Sequence, residues 1–150
     1  MEVRELMTEE PASVPEGATL EEAMAVMRAA GLRAVPVVRE GRPVGVLELA
    51  ELLRLGVGRP SAPVPGTRLV ASLMAPAPAG VRPSASWAEA ARRMSEEGLD
   101  WLPVVDEEGL LVGVLGLRAL FRAMLRLLGW GVTGAPGAET GRPQPPERGA

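Results

Sequence analysis

Apolar and polar positions recur along this chain in one order, twice. Leu20, Ala23, Met24 and Met27 fall at helical spacing with Glu21 and Arg28 off that stripe, which predicts an amphipathic helix. Thr19-Leu20-Glu21-Glu22 ahead of it reads as a capping box, and Gly31 supplies the left-handed residue that commonly ends a helix. A β-rich run follows at Ala34–Val38, then a polar turn with Gly41, a second run at Pro43–Leu47 and a second helix over about Glu48–Leu55. So short a turn predicts an antiparallel hairpin. A short extended piece near Ala12–Val14 leads the set, giving the order β-α-β-β-α.

The same order returns further on. An extended piece near Ala79–Arg82 precedes the box Ser86-Trp87-Ala88-Glu89, a helix ending at Gly98, a run at Trp101–Val105, a turn with Gly109, a run at Leu110–Leu115 and a helix over Leu117–Leu128. A shift of 67 positions lays Val3 on Val70, Leu6-Met7 on Leu73-Met74, Glu22-Ala23 on Glu89-Ala90 and Pro36-Val37-Val38 on Pro103-Val104-Val105. One extra residue in the second turn makes the shift 68, and Val44-Gly45-Val46-Leu47 then matches Val112-Gly113-Val114-Leu115. A register held this long with one gap is an internal duplication.

The expected organisation is one repeat over 1–55, a Gly- and Pro-containing linker over 56–67, a second repeat over 68–130 and a flexible Gly/Pro-rich tail over 131–150. Neither repeat is large enough to bury an adequate core alone, so the sheets of the two are expected to pack together in an α/β (α+β) fold.

Composition narrows the chemistry. All sixteen cationic side chains are arginine, and the net charge is −3. Arginines balance or trail acids in each region, so no basic patch marks a nucleic-acid partner. The longest apolar run, Gly109–Leu117, is far below the roughly 20 residues of a membrane span, and no leader pattern follows Met1. The chain therefore reads as cytoplasmic, with no membrane or nucleic-acid partner. Cys, His and Lys are absent, which removes the thiolate nucleophile, the imidazole base or metal ligand and the Schiff-base amine. Paired glutamates such as Glu21-Glu22 and Glu107-Glu108 are chain neighbours that do not face one another on a helix. The expectation is no catalytic residue, no metal site and no enzyme activity.

A helix of the "L-x-E-A" type, a glycine, "hPVV", a turn and "hhGhh" opening a second helix, all duplicated, resembles a tandem CBS (cystathionine-β-synthase) domain pair, or Bateman module, over about Glu2–Leu128. The resemblance implies two β-α-β-β-α repeats packed through their sheets about a pseudo-twofold axis. It further implies a regulatory module whose clefts often hold adenosine-containing ligands such as AMP or ATP. The family's cleft signature is G-h-h-[S/T]-x-x-D, whose carboxylate faces the two ribose hydroxyls in charge-assisted bonds. Here the first copy reads Gly45-Val46-Leu47-Glu48-Leu49-Ala50-Glu51 and the second Gly113-Val114-Leu115-Gly116-Leu117-Arg118-Ala119.

Neither copy keeps the signature. Glu51 takes the Asp position one methylene longer, and Glu48 replaces the hydroxyl with a carboxylate that repels phosphate. Ala119 removes the second acceptor, while Gly116 allows close approach and Arg118 offers an anion contact. The plainer reading makes Glu48 and Glu51 solvated dipole partners and Arg118, with Arg122 and Arg126, a solvated stripe. The other positions implied are Arg33, Ala34 and Val35 in the first copy, Asp100, Trp101 and Leu102 in the second, and the loop residues Ser13 and Gly80. Trp101 would stack on a purine or cover core.

The last helix carries Leu117, Leu120, Phe121, Met124, Leu125, Leu127 and Leu128, too much apolar surface for one buried stripe. It predicts a second buried face, most simply a homodimer. An effector protein would have to be met in trans. Two readings compete: a module sensing an adenosine-type ligand, and a dimerisation or interaction module with degenerate clefts that binds no nucleotide.

Overall fold

The computed structural model describes residues 1–61 and 64–130; the predicted tail lies outside the described residues. The helices are α1 Leu20–Ala30, α2 Leu49–Arg54, α3 Trp87–Glu97 and α4 Leu117–Leu127, and the strands are β1 Thr8–Glu9, β2 Val14–Pro15, β3 Ala34–Arg39, β4 Arg42–Glu48, β5 Ala75–Pro76, β6 Trp101–Val105 and β7 Leu111–Gly116. Both predicted hairpins are antiparallel, and β2 runs parallel to β3. The leading extended piece of the second copy is a single parallel bridge, Val81 to Val104.

The caps explain the helix bounds. Thr19 and Glu22 form the full box, each side chain bonding the other's backbone N–H. Ser86 departs from the expected box: its hydroxyl accepts from the Ala88 N–H at 3.2 Å, and α3 has no reciprocal bond from Glu89. Gly31 and Gly98 end α1 and α3 at φ of 64° and 65°, a conformation that costs a side chain more.

Each hairpin packs one face on its helices. Val35, Val37, Leu47 and Leu52 are fully buried in the first core, and Leu102, Val104 and Leu115 in the second. Alternation along a strand turns Pro36, Val46 and Pro103 the other way, yet these are buried too. The sheets are therefore covered on both faces, as two units packed through their sheets require. The hairpin tips meet at the seam, where the Leu111 N–H donates to the Gly41 carbonyl at 2.8 Å.

The leaders that precede each copy are exchanged. β1 belongs to the first copy in sequence but pairs with β7 of the second, Thr8 opposite Val114 and Glu9 opposite Gly113. β5 belongs to the second copy but pairs with β4 of the first, Ala75 opposite Val46 and Pro76 opposite Gly45. The hydrogen bonds ahead of them correspond as well: Trp87 N–H to Met1 O and Leu20 N–H to Arg68 O, then Val3 N–H to Ala85 O and Val70 N–H to Ala18 O. Each contact maps onto its counterpart by the 67- or 68-residue shift, which is the pseudo-twofold relation of the two units. As a result Val3, with Leu6 and Met7, completes the second core, and Val70, Leu73 and Met74 complete the first.

One surface ion pair is well formed. The Arg39 guanidinium donates to Glu16 through Nε at 2.6 Å and Nη2 at 2.7 Å. That hydrogen bond lowers the Glu16 pKa below its ordinary value, against a smaller opposing push from burial, and raises that of Arg39. A carboxylate held below its unfolded pKa contributes stability that is present above the unfolded value and lost as pH falls through the folded one. Glu16→Gln is therefore expected to lower the melting temperature slightly at neutral pH. Thermal melts taken down through about pH 4 and below should show the wild type and the variant converge.

Candidate functional site

Backbone pairing gathers the candidate residues into two sets. The Arg33 carbonyl accepts the Leu49 N–H at 2.8 Å, and the Asp100 carbonyl accepts the Leu117 N–H at 2.9 Å. Each bond ties the start of a hairpin to the start of the helix that follows it. The ladders then set Ala34 opposite Glu48 and Trp101 opposite Gly116, and directly opposed residues share a face of the sheet. Ser13 precedes β2, whose Val14 lies opposite Val37. Gly80 precedes the Val81–Val104 bridge. A side chain at Gly80 would begin 2.7 Å from Val105 Cγ2 and 3.3 Å from the Pro103 carbonyl. Both loop positions thus lie on the segments that cross from one unit to the other.

The two sets differ in charge and shape. In the first, Glu48 stands exposed at the N-cap of α2 with no capping bond from its side chain. Glu51 Oε2 accepts from Arg54 Nε at 3.0 Å and Nη2 at 2.5 Å, so its carboxylate is shared with its own helix. In the second, Trp101 is half-buried, and a Cβ added to Gly116 would meet nothing within 4 Å. The first turn of α4 holds no acid. Arg118 is exposed and makes no ion pair within 4.0 Å among the described residues. Val35 and Leu102 are fully buried in the helix-side cores, so only their backbone can face a cleft.

Two open depressions mark the surface. A groove of about 700 Å³ between α3 and α4 is lined by Met94, Leu120, Phe121 and Met124, with Asp100 and Arg118 among its polar residues. Arg118 therefore belongs to this groove as well as to the start of α4. A second depression of about 580 Å³ gathers Arg4, Arg82 and Ser84 with Asp106 and Glu107 near the far end of β6. Neither includes Trp101, Glu48 or Glu51. The apolar rim continues along α4, where Leu117, Phe121, Met124 and Leu128 are each about half exposed or more. No helix of the described residues is long and apolar enough to cross a membrane.

Sequence reasoning did not see the part played by the leaders or by Gly45 and Gly113. A Cβ at Gly45 would overlap the Met74 sulfur and come within 2.9 Å of the Ala75 carbonyl; at Gly113 it would lie 2.7 Å from the Met7 sulfur and 3.1 Å from the Thr8 carbonyl. The signal was present, since V-x-x-L-M opens both copies and a glycine interrupts both β-runs.

Comparison with known proteins agrees with this geometry. The sequence profile of the CBS domain matches residues 3–58 and 70–126. The chain is 40% identical over 116 residues to the magnesium transporter MgtE of Thermus thermophilus, covering 73% of this chain and 24% of that protein, so it spans about a quarter of the relative's length. The crystal structure of CBSX2, a CBS-pair protein from Arabidopsis thaliana, in complex with AMP superposes with a TM-score of 0.70 at 29% identity, over 85% of this chain and 98% of that one. The cytosolic domain of the Mg²⁺ channel MgtE in complex with ATP gives 0.68 at 34% identity, over 81% and 48%. Two reciprocal units, built from duplicated motifs and matched over both copies, make this chain a member of the CBS-domain family, in the form of a CBS pair.

Proposed function

We propose that this CBS pair is a cytoplasmic regulatory module that holds an adenosine-type ligand (AMP, ATP or a related nucleotide) at the seam between its units. The ligand would reset the angle between the units, and a partner would read the change. The observation that supports this best is the reciprocal seam itself. Ser13 and Gly80 sit on the crossing segments, with Arg33, Ala34, Glu48 and Glu51 around one helix start and Asp100, Trp101, Gly116 and Arg118 around the other. The similar CBSX2 and MgtE domains were crystallised with AMP and ATP. A melt in the presence of AMP, ADP, ATP, S-adenosylmethionine or NAD tests it. Ligand at ~100 times its Kd adds about 2.7 kcal/mol, a rise of roughly 5–10 °C. No shift with any of them at millimolar concentration excludes the reading.

A dimerisation module without nucleotide is the second reading. It is favoured by the engagement of Glu51 with Arg54 and by Ala119 at the position of the second acceptor. In both readings α4 seats a second copy of the chain, because Leu117 and Phe121 are 50% and 57% exposed on a helix whose other face, at Leu120 and Ala123, is already buried. An effector protein met in trans would complete the output. Phe121→Arg is expected to weaken self-association by at least about tenfold, read as a shift toward monomer in light scattering across a dilution series.

A further inference from the structure

The N-terminal leader is held on the second unit through a hinge under backbone strain. Its docking is substantial, since Val3 is fully buried, Leu6 and Met7 pack on the second core, and Thr8 and Glu9 add a strand to β7. Only Glu10 to Ser13 separate it from β2. Glu10 sits at φ +46°, a left-handed conformation that a residue with a Cβ adopts at a cost. Pro11 follows, and a residue before proline favours extended backbone. The matching hinge of the second leader, Ala77-Pro78, has no positive φ.

We infer that this leader exchanges between two copies of the chain, each inserting Met1–Glu9 into the second unit of the other. Every leader contact is the same whichever chain supplies it, so the closed and exchanged forms differ in the hinge and in association entropy. Extending Glu10–Ser13 releases the left-handed residue into the conformation its proline prefers, and short strained hinges are the usual setting of such swaps. The occupant of the β7 edge in the dimer is thus the leader of a second copy. This interface is separate from the α4 face, and the exchange does not depend on ligand binding.

The chain has no cysteine, so a disulfide trap reports it cleanly. Thr8 and Val114 face each other across the ladder, and opposed strand residues fall within disulfide reach. Full-length Thr8→Cys and Val114→Cys chains are mixed, refolded together at high concentration and oxidised. The expected product is a covalent dimer in which peptide mass mapping finds position 8 linked to position 114 between chains. Adding Glu10→Gly to both chains removes the strain in place and should lower that product by about fivefold. A second variant, with Pro11 and Ala12 deleted, cuts the hinge to two residues, disfavours the closed form and should be a dimer with an intact second unit. Exchange is overturned if no linked peptide forms between chains while the Thr8→Cys/Val114→Cys double variant links within one chain. It is overturned equally if the hinge-deleted chain is a folded monomer.

Discussion

Replacing Val70 with aspartate is expected to unfold the first unit, although Val70 belongs to the second copy in sequence. Its side chain is fully buried among Val14, Leu20, Val35 and Leu47, and its N–H is committed to the Ala18 carbonyl at 2.8 Å. A carboxylate there finds no buried partner, because no polar or charged side chain is buried among the described residues. Leaving a buried charge unpaired costs about 3–5 kcal/mol, a large share of the stability of a small domain. The informative readout is where protection from hydrogen exchange is lost. It should fall first across β3 and β4, in the unit that Val70 completes, and later in β6 and β7. Leu69→Asp next to it is the control. Leu69 is 50% exposed, and a surface change of that kind stays within about 0.5 kcal/mol.

Gly45→Val should be the next most damaging change at a single position. The added Cβ would meet the Met74 sulfur and the Ala75 carbonyl, the latter at 2.9 Å. The thioether can swing aside, but the carbonyl belongs to β5, which is paired to β4 at that point. The strand would have to withdraw and take Met74 with it. Overpacking of this kind costs about 1–3 kcal/mol, or roughly 3–10 °C in melting temperature. Gly113→Val should do the same to β1 through Met7 and Thr8. Gly116→Ala should change little, because that position opens onto space. If all three variants melted together, the close approach of β5 and β1 would not be what holds Gly45 and Gly113 to glycine.

Much of this architecture was legible before any coordinates. The period of apolar residues located α1, the "PVV" and "VGVL" runs located the hairpins, and the shift of 67 announced two related units. Local rules suffice there because each depends on neighbours within a few residues. The candidate site was less legible. Glu51 reads as a ribose acceptor in sequence, and only its distance to Arg54 shows the carboxylate already engaged. Arg118 reads as a contact at a helix start, and packing also lines it along the α3–α4 groove. Val35 and Leu102 read as cleft residues, yet strand alternation turns both side chains into the helix-side cores.

Periodicity, caps and duplication, all carried by residues close together in the chain, were enough to establish two β-α-β-β-α copies and their hairpins, and the resemblance of their ordered motifs pointed to the CBS family. Which unit each leader completes is a different kind of fact. V-x-x-L-M would satisfy either core equally well by composition, and a two-residue strand has almost no preference of its own. The choice falls to long-range packing, where a glycine in β4 or β7 leaves room for one methionine and one passing strand. The exchange across the seam is therefore visible only in three dimensions, where the path of the chain brings each leader to the glycine of the other unit.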